Sequence, residues 1–419
     1  MTTTERPGTA GPSTLTAAGR YPAVPAARSA PDGRPPRAGR RLTGVDAARG
    51  LAVLGMIVAH VAAADPGAPL WQAVHGRAAV LFGVLAGVGL ALMAGPALRA
   101  GTADARAALR RRVAVRAVLL IVFGVALAGI SSGPMVILAV YGVEFLLVLP
   151  VLCTRARTLA TAAAVWAMAG PLLSFALRSG MSVQTLGGTV SPTDLTAPGS
   201  ALDALVRVLL TGAYPVLTWM PFLLLGMALG RLDLPRYAGR LVAGGLGGAL
   251  LGYGGSWLAV DVLGGRQTLL DSVAPAAGQL ALPPDAVLDL LAGSAFGVVS
   301  TTTPAWLLTA GGHSGSPFDV VGAAGVAVAV LGLCLLAARA VPALLTPLAA
   351  TGALALTLYA GHIAVLAAVG DTAAAAPWAV TGVFVVAAVL FATGWRHLAG
   401  RGPLEAGVHA ASIRAGGAR

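Results

Sequence analysis

Ten apolar blocks, each close to the length a helix needs to cross a bilayer, constrain this chain more than any other feature. A hydrocarbon core about 30 Å thick takes about 20 residues of helix. Blocks of that size lie near 47–64, 78–98, 113–130, 134–153, 157–177, 204–230, 241–263, 318–338, 345–366 and 377–395. Only 11% of the residues are charged and 57% are hydrophobic, which excludes the soluble classes. Backbone polar groups inside lipid must be satisfied within their own segment. The expectation is an all-α polytopic membrane protein of about ten transmembrane helices. The stretch 286–311 is apolar but broken by Ser300-Thr301-Thr302-Thr303-Pro304 and by Gly311-Gly312, so it reads as an eleventh helix or an interfacial, re-entrant segment.

Charge chooses between these readings. All 28 basic residues are arginine, and they collect on one side when ten spans start from a cytoplasmic N-terminus. Only Arg77, Arg178, Arg207 and Arg266 then fall outside, in company with nine acids from Asp65 to Asp371. An eleventh span would move Arg339, Arg396 and Arg401 across the membrane and worsen the positive-inside balance. Ten helices with both termini cytoplasmic are therefore expected. The domains read as a disordered Pro/Ala/Arg-rich tail over 1–41, a helical bundle over 42–396 and a cytoplasmic C-terminal tail over 397–419. Ala62-Ala63-Ala64-Asp65 after the first block resembles a peptidase site, but the long preceding tail and the many later spans favour a retained helix.

The net charge of +12 does not point to nucleic acid, because no aromatic cluster interleaves with the arginines to stack bases. Cys153 and Cys334 are far apart inside apolar runs, so neither a disulfide framework nor a metal site is indicated. No inverted repeat is detectable between the halves, which gives a repeat-built transporter no support.

Ionisable residues inside apolar helices are costly and usually face a cavity or a partner. Arg49 and His60 are eleven residues apart, which puts them within about 20° of one helix face and about 16 Å apart along it. Asp46 is the i,i+3 neighbour of Arg49 and reads as its helix-end ion pair. His75 sits on a short outer loop beside Arg77, where a neighbouring cation favours the neutral, proton-accepting ring. Arg106, Arg110, Arg111, Arg112 and Arg116 lead into the third block. They read as topology anchors or as an anion site for the phosphates of a nucleotide-like donor. Glu144 is the acid placed deepest in an apolar block, and Arg116 or Arg49 is its expected partner. His313 precedes the eighth block, while Tyr359 and His362 share a face at the outer end of the ninth. Four of the six histidines thus gather on one side; His397 and His409 read as solvated residues of the C-terminal segment. Ala79, Gly83, Gly87, Ala91 and Gly95 form a ridge of small residues for close helix packing.

These residues have a familiar order. Asp46-x-x-Arg49-Gly50-x-Ala52 with Met56 and His60, then His75-Gly76-Arg77 leading to Phe82 and Gly87, Leu356-Thr357-Leu358-Tyr359 with His362, and Gly402-Pro403-Leu404-Glu405 resemble the YeiB-like family of bacterial membrane proteins. The first half also resembles the heparan-α-glucosaminide N-acetyltransferase family, and both belong to a wider group of transmembrane acyltransferases. The resemblance implies transfer of an acetyl group from cytoplasmic acetyl-CoA to an acceptor on the outer face, with no metal. By position it implies His75 as the catalytic histidine and His60 at a polar position where the glucosaminide enzymes carry asparagine. The stretch between the two is longer here, and a tryptophan and an aspartate that follow the histidine in those enzymes are missing.

The two readings combine into one expectation. Arg110, Arg112, Arg116 and Arg49 hold the acetyl-CoA donor. His75 or His60 acts at the outer end as general base or as acyl carrier. Asp46, Arg77, Glu144, Tyr359, His362 and His313 support the acceptor cavity. The acceptor is expected to be a glycan, glycolipid or metabolite outside a bacterial plasma membrane, with lipid as the surrounding partner and a homodimer left open. The competing classes are a small-molecule or proton-coupled transporter and a non-enzymatic component of envelope assembly.

Overall fold

The computed structural model describes residues 42–181, 187–196, 200–293 and 295–417, so the expected tail over 1–41 lies outside the described residues. The chain forms α1 (Thr43–Val61), a short α2 (Pro69–Val74), α3 (Arg77–Ala100), α4 (Ala103–Ile130), α5 (Leu138–Leu147) and α6 (Ala156–Ser179). It continues through α7 (Ser200–Val206), α8 (Val216–Leu229), α9 (Leu234–Ala249), α10 (Gly255–Trp257), α11 (Gly265–Leu280) and α12 (Pro284–Gly293). Then follow α13 (Pro317–Ala340), α14 (Thr346–Ala353), α15 (Ala355–Ala375), α16 (Pro377–Leu398) and α17 (Pro403–Ala415), with no strand among the described residues.

Helix ends follow local chemistry. Gly101, at φ +69°, closes α3 in the left-handed conformation that glycine adopts without strain. Thr102 then caps α4 by accepting from the Ala105 N–H at 3.2 Å. Ser316 caps α13 in the same way from the Asp319 N–H at 3.0 Å, with Pro317 in the first turn.

Among the described residues six helices are long and apolar enough to cross a membrane, and the number rises to nine if each of three bent pairs counts as one span. All ten expected blocks contain helix, but 134–153 supplies only the ten residues of α5 and a 3₁₀ turn over Leu149–Val151. Ten residues rise about 15 Å, half of the hydrocarbon thickness. The reason is local: Pro134 precedes the helix and Pro150 follows it. The stretch 286–311 forms no continuous helix; α12 ends at Gly293 and a 3₁₀ turn covers Pro304–Leu308. Those turns fold over α11 to make a second small core around Leu269, Leu288 and Trp306. The periphery carries the large apolar side chains a lipid belt needs, such as Leu250, Leu263, Leu344 and Leu390.

α1 and α3 run through the middle of the bundle, and glycines set how closely their neighbours approach. A Cβ on Gly87 of α3 would stand 2.1 Å from the Leu223 carbonyl oxygen of α8, and one on Gly226 would stand 1.9 Å from that of Val84. A Cβ on Gly352 of α14 would lie 1.8 Å from the Asp46 carbonyl oxygen of α1. The small-residue ridge expected over 79–95 is therefore used for backbone contact at Gly87.

The break between α14 and α15 bends the chain by 77°. Such a break leaves the first N–H groups of α15 without intrahelical acceptors. Glu405 of α17 supplies them, accepting from the Leu356 N–H at 2.7 Å, the Thr357 N–H at 3.1 Å and the Thr357 hydroxyl at 2.5 Å. Glu405→Ala should therefore lower the thermal midpoint by several degrees, by loss of about 1 to 3 kcal/mol, while Glu405→Gln restores part of it. Unfolding followed by intrinsic fluorescence in detergent tests this.

Arg77, Arg178, Arg207 and Arg266, the four arginines expected on the outer side, each have a local partner. Arg77 donates to the Tyr253 hydroxyl at 3.0 Å and to the Gln72 carbonyl at 2.6 Å. Arg178 donates to the Val299 carbonyl at 2.7 Å and to the Ser174 hydroxyl. Arg207 pairs with Asp194 at 2.7 Å and Arg266 with Asp285 at 2.6 Å. Burial works to raise the Asp194 carboxyl, but hydrogen bonds from Ser191 and the Arg207 charge outweigh it and hold the group below the usual carboxylate range.

Candidate functional site

Two cavities follow one another along α1, α3 and α15. The first, about 320 Å³, lies at the end of α1 and is lined by His60, Trp71, His75, Tyr214, His313 and Tyr359 among others. The second, about 260 Å³, lies toward the start of α1 and is lined by Arg49, Phe82, Arg116, Tyr141 and Glu405 among others. Phe82 separates them, its ring 5.8 Å from that of Tyr141 and 6.5 Å from that of Tyr359. Both tyrosines are pinned. Tyr141 donates to the Ala79 carbonyl at 3.1 Å, and the Tyr359 oxygen accepts from the Ile137 N–H at 3.2 Å.

The histidines that gather on one side in sequence meet at the first cavity. His60 Nδ1 is 2.9 Å from His362 Nε2, and their rings stack with centroids 5.2 Å apart. His362 Nδ1 in turn lies 3.1 Å from the Leu358 carbonyl oxygen, one turn back along α15. His75 is placed by Trp71, whose ring stacks on it at 4.1 Å while its indole N–H donates to the Ala59 carbonyl at 3.1 Å. His313 stands edge-on to His75 at 4.9 Å and is also in ring contact with Tyr214 and Trp219.

His313 has φ +64°, a left-handed conformation uncommon for a residue with a side chain. Its carbonyl is held there by the Gly297 N–H at 2.5 Å. Burial, with His75 beside it, pushes the His313 ring down to about 3, so it is neutral near pH 7. His313 Nδ1 and His75 Nε2 are both buried without a hydrogen-bond partner. Unpaired buried nitrogens of this kind are costly unless something else satisfies them, and here both belong to rings that line the cavity.

At the other end, Arg49 Nη1 bonds Asp46 Oδ1 at 2.8 Å, the i,i+3 pair expected from sequence. Arg116 lies within electrostatic reach of Arg49 and of Glu405. The expected donor set thus divides. Arg49 and Arg116 line the cavity, the stem of Arg112 packs against Gly416 after α17, and Arg110 is exposed outside the lining. Arg77 faces Tyr253, away from the lining.

The expected partnership of Glu144 with Arg116 or Arg49 is not formed. Glu144 is buried and its Oε1 has no hydrogen-bond partner. Asp46 already holds Arg49, and the acid within electrostatic reach of Arg116 is Glu405, a residue from the C-terminal segment that spacing along α4 and α5 could not reveal. Sequence reasoning also missed Phe82 and Tyr141 as the divide between the cavities, and Trp71 as the residue that seats His75. Tryptophan four positions before a loop histidine was the available signal for the last. Among the described residues no group of three or more His, Cys, Asp or Glu side chains could hold a metal ion.

A multi-pass helical bundle with arginines at one end of its axis and imidazoles at the other fits the class of membrane acetyltransferases, and one comparison points to that class directly. Residues 41–246 match the family model described as heparan-alpha-glucosaminide N-acetyltransferase, catalytic. Through that segment the chain is related to the heparan-α-glucosaminide N-acetyltransferase family. No curated protein matches the chain. The matched segment carries Arg49, His60, His75, Arg116 and Tyr141, whereas His313, Tyr359, His362 and Glu405 lie beyond it.

Proposed function

We propose that the chain transfers an acetyl group from acetyl-CoA, entering at the arginine-lined cavity, to an acceptor held in the imidazole-lined cavity. The observation that carries this reading is the succession of the two cavities along α1, α3 and α15, with cations at one end and proton-accepting rings at the other. Arginines collect on the cytoplasmic side of membrane proteins, so the Arg49 and Arg116 end is cytoplasmic and the histidines face the outside of a bacterial plasma membrane. Coenzyme A is polyanionic. The exposed Arg106, Arg110 and Arg111 are suited to its phosphates, and Arg49 and Arg116 lie further along the path of its pantetheine arm.

At the outer end the chemistry is acyl transfer to a hydroxyl or amine. The acceptor's oxygen or nitrogen attacks the thioester carbonyl while His60 or His75 takes its proton. The carbon–sulfur bond then breaks, and the protonated imidazole returns the proton to the coenzyme A thiolate. The products are the acetylated acceptor and free coenzyme A, and the ring ends as it began. Aromatic walls from Trp71, Tyr214 and Tyr359 suit an acceptor with an apolar ring face and polar edges, such as a glycan, a glycolipid headgroup or a secreted metabolite.

The test is acceptor-dependent release of free coenzyme A thiol by the detergent-purified protein, together with calorimetry of acetyl-CoA binding. Arg116→Gln and Arg49→Gln are each expected to weaken donor binding by about tenfold or more, since each removes a charge-assisted contact of about 1.5 to 3 kcal/mol. Wild type that is folded but neither binds acetyl-CoA nor releases thiol would remove this reading and favour the transporter. In that case uptake of solute into vesicles without acetyl-CoA is the measurement that follows.

A further inference from the structure

We infer that His362 is a positioning residue: it fixes the tautomer of His60 and thereby makes His60 Nε2 the proton-accepting nitrogen of the imidazole-lined cavity. The order of protons starts from a backbone carbonyl. The Leu358 oxygen can only accept, so His362 Nδ1, 3.1 Å away, carries a hydrogen and donates it. In a neutral ring the other nitrogen then has a lone pair, which makes His362 Nε2 an acceptor. The partner at 2.9 Å is His60 Nδ1, which must therefore be the donor. His60 in turn keeps its lone pair on Nε2, on a ring that lines the cavity. One carbonyl thus dictates the protonation of two rings 302 positions apart in sequence.

The other titratable groups around His60 do not disturb this order. His75, before α3, and His313, in the loop before α13, act on it through space, and no hydrogen bond joins either of them to His60. Tyr359, on α15, meets His362 edge-on at 5.4 Å and spends its oxygen on the Ile137 N–H. His362 itself is only 6% exposed, and a cation there would be expensive, so the pair is neutral. The same logic operates wherever a second group holds a catalytic imidazole by one nitrogen so that the other faces the substrate. Here a second histidine backed by a main-chain carbonyl takes that part, and it comes from a helix outside the segment matched to the acetyltransferase family.

The inference rests on the acyltransferase reading only for its consequence, because the tautomer can be measured directly. Ring ¹⁵N spectra of histidine-labelled protein in lipid nanodiscs should show His60 and His362 both protonated on Nδ1, the form that free imidazole side chains disfavour. Single His→Gln variants assign the signals. In His362→Leu the His60 signal should lose its Nδ1–H signature and move toward the ordinary Nε2–H form. In His362→Gln, whose amide oxygen can accept in place of Nε2, it should stay. Thiol release should follow the same order: kcat falls by about 100-fold in His362→Leu at unchanged donor KM, and recovers most of that loss in His362→Gln. Finding His60 protonated on Nε2 in the wild type overturns the assignment, as does equal loss in the leucine and glutamine variants of a folded protein. If no acceptor supports thiol release by the wild type, the acyltransferase reading fails, and the ¹⁵N spectra still decide what His362 does to His60.

Discussion

His60→Ala is expected to reduce acceptor-dependent release of coenzyme A by about a thousandfold or more, with acetyl-CoA binding unchanged. The magnitude is that of removing a positioned general base, about 10²- to 10⁴-fold. Donor affinity should persist because Arg49 and Arg116 line a different cavity, on the far side of Phe82 and its tyrosine neighbours. The fold should persist too, because alanine at this position enlarges a cavity that already exists and breaks one contact, that with His362. Steady-state kinetics therefore read the loss in kcat rather than in KM. His75→Ala is the necessary companion. His75 is the residue that family resemblance favours, yet its ring is wedged between Trp71 and His313 with Nε2 buried and unpaired. If His75 takes the proton, its variant shows the deeper loss in kcat and His60→Ala the shallower one. The ranking of two folded variants thus chooses between them.

The ease with which the site could be read in the sequence depended on whether a feature was local. Periodic apolarity and arginine placement were enough for an all-helical membrane protein, because each signal is contained within one segment. His60, His75, His313 and His362 do gather at one end, as expected, although the ten full-length spans from which their sidedness was reasoned are not reached among the described residues. Pairing across helices was not legible. Nothing along α1 says that its partner for His60 is His362, because hydropathy gives the face of a helix and leaves its neighbour open. Glu144 was matched to the wrong arginines for the same reason. The acid within electrostatic reach of Arg116 is Glu405, on α17, which sequence reading treated as tail. The short α5 and the three bent pairs were hidden by a different effect: proline and glycine inside apolar blocks shorten or bend a helix without lowering its hydropathy.

Gly226→Val is expected to prevent accumulation of folded protein, and this is the larger of the two effects. A Cβ at Gly226 would stand 1.9 Å from the Val84 carbonyl oxygen, inside any van der Waals distance, and the atom it meets is backbone. No rotamer change relieves such a contact; α3 and α8 would have to separate. Gly87 meets the reverse obstacle, with the Leu223 carbonyl oxygen 2.1 Å from its own added Cβ, so a shift that relieves one position is opposed at the other. The cost should exceed about 4 kcal/mol, a large part of the stability of most folded proteins. Gly89 and Gly239 provide the contrast, with no atom within 4 Å of an added Cβ. Alanine at either should be neutral or stabilising by up to about 1 kcal/mol through helix propensity. Size-exclusion profiles of fluorescently tagged variants in detergent separate the outcomes, a monodisperse peak for the controls and loss of that peak for Gly226→Val. The consequence for function follows from chain order. α3 begins two residues after His75, and α8 begins two residues after Tyr214. The glycine contact between these helices therefore sets how far His75 stands from the wall formed by Tyr214 and His313. A milder replacement, Gly83→Ala, tests this link without breaking the bundle. Its Cβ would lie 3.2 Å from the Tyr141 hydroxyl, a contact that a shift of a few tenths of an ångström relieves, beside Phe82 at the divide between the cavities. Folded Gly83→Ala protein with altered kcat would tie helix spacing to acyl transfer, whereas wild-type kinetics would confine the role of the glycines to assembly.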